Sequence, residues 1–231
     1  MKFIENIEDF KNLLNPPSKI YYKGNLELLN ARKVAVIGSR KMSVYTKNCL
    51  VELVTLLKKT NVCVVSGGAL GVNIQAAKIA YPQTIAIFAN GLDEIYPKAN
   101  TNEILNIYEN ALALSEVVII AQADLKSGSM QSARLALGMN KPIYVLPHRK
   151  NESDGTNLLL ATKKANLIHD FDEFAKMFGK LHYEQSEDDL LSFLKHEDDL
   201  EKVLKKFGDR VYEYELEGLV EISGVKIRAC L

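Results

Sequence analysis

The amino-acid sequence predicts an α/β fold: a doubly wound, Rossmann-like, mostly parallel sheet followed by a small C-terminal winged-helix-like domain. Three observations lead there. Between residues 31 and 179, short continuous apolar runs such as Val62-Cys63-Val64-Val65 alternate with longer segments of helical period, as in sheets covered on both faces. Several of these runs end in turns rich in glycine and serine that open directly into a helical segment. Beyond residue 180 both the pattern and the sign of the charge change.

Taken in order, residues 4–14 carry apolar side chains at helical spacing (Ile4, Ile7, Phe10, Leu13, Leu14) and stop at Asn15-Pro16-Pro17, where proline removes a backbone donor. The arm from Lys19 to Asn25 follows. Its Tyr21 and Tyr22 either pack against the main domain, the plainer reading, or stack on bases. Strands are then expected at 33–37, 62–66, 84–88, 117–121, 142–146 and 166–168, separated by helices at about 43–59, 70–80, 101–109, 128–138, 155–164 and 170–178. The tail predicts helices at 186–195, 197–207 and 208–217 and a hairpin around Ser223-Gly224. The expected domains are therefore 1–30, 31–179 and 180–231.

Composition bounds the function. With 231 residues, 47% hydrophobic and 25% charged, the chain is ordinary for a globular protein. It has no apolar run long enough for a bilayer and no signal-peptide start, so a cytoplasmic protein is expected. The three cysteines form no CxxC and the four histidines no cluster, so neither disulfide nor metal is expected. The formal net charge is zero, but residues 1–179 carry roughly +5 and residues 180–231 roughly −5. A polyanion would bind the first part.

Three strand ends carry the chemistry. Val34-Ala35-Val36-Ile37 runs into Gly38-Ser39-Arg40-Lys41, where backbone N–H groups at a helix start favour an anion and Arg40 adds a bidentate phosphate grip. Ser66-Gly67-Gly68-Ala69-Leu70-Gly71 follows the second strand; its glycines permit close backbone approach, to phosphate or to a packed helix. Lys126-Ser127-Gly128-Ser129 follows Val117-Val118-Ile119-Ile120, with Ser127 or Ser129 placed to cap the next helix. In a parallel sheet all three turns open on one edge.

Other chemistries lack their residues. GxGxxG is absent and no acid ends the second strand, so NAD binding is disfavoured; GxxxxGK[ST], HExxH and GxSxG are absent too. Asp93 and Glu94 read as structural loop acids. No cofactor and no catalysis are expected.

With these residues in view, the chain resembles the DNA-processing DprA/Smf family over roughly residues 16–179. The ordered motifs are Tyr22-Lys23-Gly24-Asn25, Val36-Ile37-Gly38-Ser39-Arg40, Val65-Ser66-Gly67-Gly68-Ala69-Leu70-Gly71, Gly91-Leu92-Asp93-Glu94-Ile95-Tyr96-Pro97, Lys126-Ser127-Gly128-Ser129 with Ser132-Ala133-Arg134, and Gly155-Thr156-Asn157. The resemblance implies a Rossmann-like homodimer that binds single-stranded DNA without sequence preference and hands it to a RecA-type recombinase during natural transformation. It implies phosphate contacts from Arg40 and Lys126, with Gly38, Ser39, Ser66, Gly67 and Gly68 lining the pocket through their backbones. Lys41, Gly71, Ser127, Gly128 and Ser129 complete the expected DNA-binding set.

The sequence departs from the family pattern in two places. Gly71-Val72-Asn73 stands where the family has Gly-Ile-Asp. Ala111-Leu112-Ala113-Leu114, read as a strand, runs almost straight into Val117–Ile120 where the family has a further loop and helix. Ser115-Glu116 is poor turn chemistry for a hairpin and too short for a parallel crossover, so about two dozen residues are expected to be missing there.

In the tail, Glu213, Glu215 and Glu217 oppose Arg210 alone on the third predicted helix, which favours a protein-contact or stabilising role over duplex binding. The alternative function is a LOG-like nucleotide phosphoribohydrolase, but the turn at Lys126–Gln131 lacks that family's double glycine and acid.

Overall fold

The computed structural model describes residues 2–5, 7–11, 13, 15–88, 110–182, 189–194, 196–216 and 219–229. The chain divides into two compact units, Met1–His182 and Tyr183–Leu231.

In the first unit, β1 (Lys2–Ile4) pairs antiparallel with β2 (Ile20–Tyr22). The strands β3 (Lys33–Ile37), β4 (Cys63–Gly67), β5 (Thr84–Ile87), β6 (Val117–Ile120), β7 (Ile143–Val145) and β8 (Asn166–Leu167) form one parallel sheet of order β5-β4-β3-β6-β7-β8. Alternation along the central strands fixes the two faces. Val34 and Val36 of β3, with Val117 and Ile119 of β6, join one apolar cluster; Ala35 and Ile37, with Val118 and Ile120, join the other.

Helices cover both faces, which is why these strands are uniformly apolar. The first cluster is closed by α1 (Val44–Lys59) through Leu50, Leu53, Val54 and Leu57, and by α2 (Val72–Ala80) through Val72, Ala76 and Ala80. Phe174 and Ala175 complete it from a later helix. The second cluster takes Leu112 from α3, whose described residues are 110–114. It also takes Met130, Ala133 and Ala136 from α4 (Gly128–Gly138) and Leu159 from α5 (Asp154–Ala161). The face of Ala133, Leu135, Ala136 and Met139 is sheet-packing core, as its spacing suggests. The helix carrying Phe174, α6 (Phe171–Lys176), is capped by Asp170, which accepts from the Glu173 N–H at 2.9 Å.

Two expectations are corrected. Among the described residues, the stretch 4–14 is not one helix: Ile4 lies in β1 opposite Ile20, and Glu8–Phe10 form a single 3-10 turn. The ladder to β2 takes the first residues, while Phe10 is buried beside Val65, Ala111 and Leu114. Tyr21 therefore sits in a strand, edge-on to Phe3 at 6.3 Å and half exposed. The second correction concerns Ala111–Leu114, which is the end of α3 and not a strand. The Ser115 N–H donates to the Leu112 carbonyl at 3.1 Å and its hydroxyl to the Ala111 carbonyl at 2.9 Å. Glu116 N–H then donates to the Lys33 carbonyl and enters the sheet. Two residues suffice to link this helix to the strand. The predicted helix at 101–109 and the acids Asp93 and Glu94 lie outside the described residues.

The second unit packs α7 (Asp189–Phe193), α8 (Leu200–Phe207) and α9 (Arg210–Leu216) with an antiparallel hairpin of β9 (Val220–Ser223) and β10 (Lys226–Ala229) around Leu190, Val203, Val211, Val220 and Ile227. Asp199 caps α8, accepting from the Lys202 N–H. Glu197 accepts from Lys202 at 2.8 Å and Asp198 from Lys226 at 2.5 Å. These lysine hydrogen bonds hold both carboxyls below their ordinary pKa. A carboxyl whose folded pKa is depressed stabilises the fold above its unfolded pKa of about 4, and that contribution is lost as pH falls through the folded value. The unit is expected to loosen on acidification below about pH 4, seen as weakened amide protection of Val203 and Val211 by NMR; pH-independent protection would contradict it.

Among the described residues no helix is long and apolar enough to cross a membrane.

Candidate nucleic-acid interface

The sheet order decides where a ligand sits. From β3 the chain winds outward through β4 and β5, then crosses to β6 and winds the other way through β7 and β8. The direction reverses between β3 and β6, and in open α/β sheets the crevice outside the carboxyl ends at such a reversal is the binding place. Ile37 and Ile120 are register partners, so the turns bearing Arg40 and Lys126 leave the sheet level with each other. The turn after β4 opens beside them on the same edge.

The glycines of these turns let the turns pack on each other. A Cβ on Gly38 would meet the Val72 side chain at 2.7 Å. Gly71 has φ +82°, and a Cβ there would collide with the Ser39 carbonyl and with Arg40 Cα at 2.6 Å. The β4 turn thus lies directly under the backbone that carries Arg40.

The backbone donors expected to line a phosphate pocket are already engaged. Gly38 N–H donates to Asn73 Oδ1 at 3.2 Å, Ser39 N–H to the Gln122 carbonyl at 2.8 Å, and Gly68 N–H to the Ile87 carbonyl at 3.2 Å. Ser66 is fully buried and its hydroxyl donates to the Val36 carbonyl at 2.7 Å; Gly67 is buried within β4. These residues shape the edge. Asn73 supplies through its amide oxygen the acceptor for which the family pattern has a carboxylate.

In the β6 turn Ser127 is the cap: its hydroxyl accepts from the Met130 N–H at 3.3 Å and donates to the Asp124 carbonyl at 2.7 Å. Ser129 is buried, whereas Lys126 and Gly128 are exposed. Arg40 and Lys41 are exposed too. Among the described residues the side chains of Arg40, Lys41 and Lys126 have no ion pair or hydrogen bond. What the edge offers a ligand is therefore free positive charge, which suits a phosphate chain.

A fourth turn belongs to this edge and was missed by sequence reasoning. After β7 the chain presents Arg149 and Lys150, both exposed, next to the β6 end. The signal was there: it is another strand end opening into a helix, with an Arg-Lys pair ahead of Gly155-Thr156-Asn157. Gln122 ties these parts together. Its Oε1 accepts from the Ser43 N–H at 2.9 Å and the Thr46 hydroxyl at 2.8 Å, and its Nε2 reaches the Glu152 carbonyl at 3.5 Å. Replacing Gln122 by leucine leaves a buried hydroxyl and an N–H without their acceptor and is expected to cost about 2 kcal/mol, read as a lower urea midpoint. An unchanged midpoint would show that the network carries no stability.

An open, doubly wound parallel sheet with this strand order defines a Rossmann-like protein. The family model described as DNA recombination-mediator protein A matches residues 5–118 and 111–179, and the chain belongs to that family. The two stretches overlap at the end of α3 and β6, the junction discussed above. Among curated relatives, Protein Smf of Borreliella burgdorferi is 31% identical over 163 residues, 58% of this chain and 52% of its own. DNA processing protein DprA of Streptococcus pneumoniae is 31% identical over 166 residues, 60% of this chain and 58% of its own. The chain thus spans somewhat over half the length of these relatives. Among solved structures, DNA processing protein A from Helicobacter pylori, described for its single-stranded DNA binding mode, is 40% identical with a TM-score of 0.74, covering 76% of this chain and 94% of that one.

Proposed function

We propose that this chain is a non-catalytic single-stranded-DNA-binding protein that holds the strand along the carboxyl edge of its sheet and passes it to a RecA-type recombinase in natural transformation. The observation that carries the reading is the set of unpaired cations, Arg40, Lys41 and Lys126, on adjacent turns at the switch point. The named single-strand binding of the 40%-identical H. pylori relative supports it. Gly38, Ser39, Ser66, Gly67, Gly68 and Gly71 act as scaffold, and Ser127, Gly128 and Ser129 set the helix start that holds Lys126 in place. The protein works as a homodimer in the cytoplasm.

The helix–helix–helix–hairpin order supports a winged-helix reading of the second unit. Its third helix suits protein better than DNA, because Arg210 is paired with Asp189 at 2.8 Å while Glu213 and Glu215 are exposed. The test is fluorescence anisotropy of labelled poly-dT across a salt series, with duplex as competitor. Expected are a log–log salt slope of roughly −0.7 per phosphate neutralised and weak competition by duplex. Absence of binding, or preference for duplex, would overturn the reading.

A further inference from the structure

We infer that Tyr45, Arg149 and Lys150 form a second nucleotide subsite beside the switch-point cations, with one unpaired base on the Tyr45 ring and its adjacent phosphates on the two cations. The inference rests on the single-strand reading above and adds where bases go.

Tyr45 stands in the first turn of α1, two residues after the Ser43 cap, and is 42% exposed. One side of its ring meets His148 edge-to-face, centroids 5.6 Å apart at 77°. His148 is itself fixed: Nε2–H donates to the Ala121 carbonyl at 2.7 Å, and Ala121 N–H donates to the Ile37 carbonyl at the sheet edge. The tyrosine is therefore braced from the sheet upward. Burial, then the neighbouring Cys49 thiol and the Glu152 charge, push the pKa of its hydroxyl up to about 12 against a lowering influence of Arg149. An anchored aromatic ring with an exposed surface is the sequence-tolerant platform on which unpaired bases stack.

The loop after β7 supplies the charge. Arg149 and Lys150 have exposed side chains with no ion pair or side-chain hydrogen bond among the described residues. The two carboxylates that follow are drawn onto the loop's backbone: Glu152 accepts from the Arg149 N–H and Asp154, the first residue of α5, from the Asn151 N–H, each at 3.2 Å. Asn157 Nδ2 holds the Arg149 carbonyl at 3.2 Å, and Asn151 takes a left-handed φ of +69°. A loop tied at these points presents its cations without a large ordering cost on binding. A duplex hides its base faces, so a ring-and-cation subsite of this kind favours the single strand.

The experiment compares dT oligomers with abasic deoxyribose-phosphate oligomers of equal length, by anisotropy, on the full chain. Tyr45→Ala is expected to weaken dT binding about tenfold and abasic binding hardly at all, while Tyr45→Phe restores dT binding. The Arg149→Ala/Lys150→Ala pair is expected to weaken both and to reduce the salt slope by roughly 1.4. If Tyr45→Ala lowers the melting temperature, Tyr45→Phe and the surface double variant carry the test. Equal losses of Tyr45→Ala on both oligomers, or wild-type binding by it and by the Arg149/Lys150 variant, would overturn the subsite. If those results overturn the subsite while Arg40→Ala/Lys126→Ala still weakens binding by two to three orders of magnitude, the function stands and only the subsite falls. A wild-type chain that binds no single strand removes both.

Discussion

Alanine at both Arg40 and Lys126 is expected to weaken poly-dT binding by two to three orders of magnitude and leave the fold intact. Each side chain makes a charge-assisted contact worth about 1.5 to 3 kcal/mol where it meets a phosphate, and the lower end applies to exposed cations. Two such losses give about 3 to 4 kcal/mol, or roughly 10²- to 10³-fold. The salt slope should fall by roughly 1.4 as two phosphates lose their partners. Because neither side chain has a hydrogen bond or ion pair among the described residues, the urea midpoint should not move. Anisotropy and urea unfolding on the same variant check both halves. Unaltered affinity would place the polyanion on another surface.

The second large effect comes from a residue that touches no ligand. Gly71→Ala puts a Cβ into the Ser39 carbonyl and within 2.6 Å of Arg40 Cα and the Arg40 carbonyl, at a φ of +82°. Strain of this kind costs on the order of 1 to 3 kcal/mol, and the collision is with backbone, which cannot swing aside. A loss of about 3 kcal/mol or more is expected in urea unfolding. DNA affinity should fall alongside, because relief requires moving the turn that carries Arg40. Gly24→Ala is the comparison: its φ is +121° but a Cβ there meets nothing within 4 Å, so only conformational strain is added, about 1 kcal/mol. Equal effects at the two positions would show that backbone contact between the turns is unimportant.

The elements legible in the sequence were those in which local pattern and tertiary environment agree. β3, α1, β6 and α4 fall where apolar periodicity puts them, since each is covered by the layer its own pattern implies. The N-terminal stretch was not legible: Ile4, Ile7 and Phe10 have helical spacing, but the ladder to Ile20–Tyr22 is invisible to a local window. Ala111–Leu114 was misread because a short apolar run fits strand or buried helix alike. Alanine and leucine are strong helix formers, and giving that more weight would have corrected it. Arg40, Lys41 and Lys126 could be singled out from sequence because they follow strand ends, whereas Arg149 and Lys150 follow one too and were passed over. The engagement of the Gly38, Ser39 and Gly68 N–H groups could not be read there, since their acceptors Asn73, Gln122 and Ile87 come from α2, the turn after β6 and a neighbouring strand.

The pairing of β3 with β6 joins Val34 to Val117 across about 80 residues of chain, most of which belong to one half of the winding. During synthesis the turn bearing Arg40 is therefore complete well before Lys126 has been added, by several seconds at about 5–20 residues per second. In that interval β3 has an unsatisfied side where β6 belongs. Closing it is a long-range step of the kind that slows folding and leaves partly made chains open to association. The crevice between these two turns is thus completed late. A ribosome-bound fragment ending before β6 would expose Arg40 and Lys41 as ordinary surface charge, with no crevice beside them.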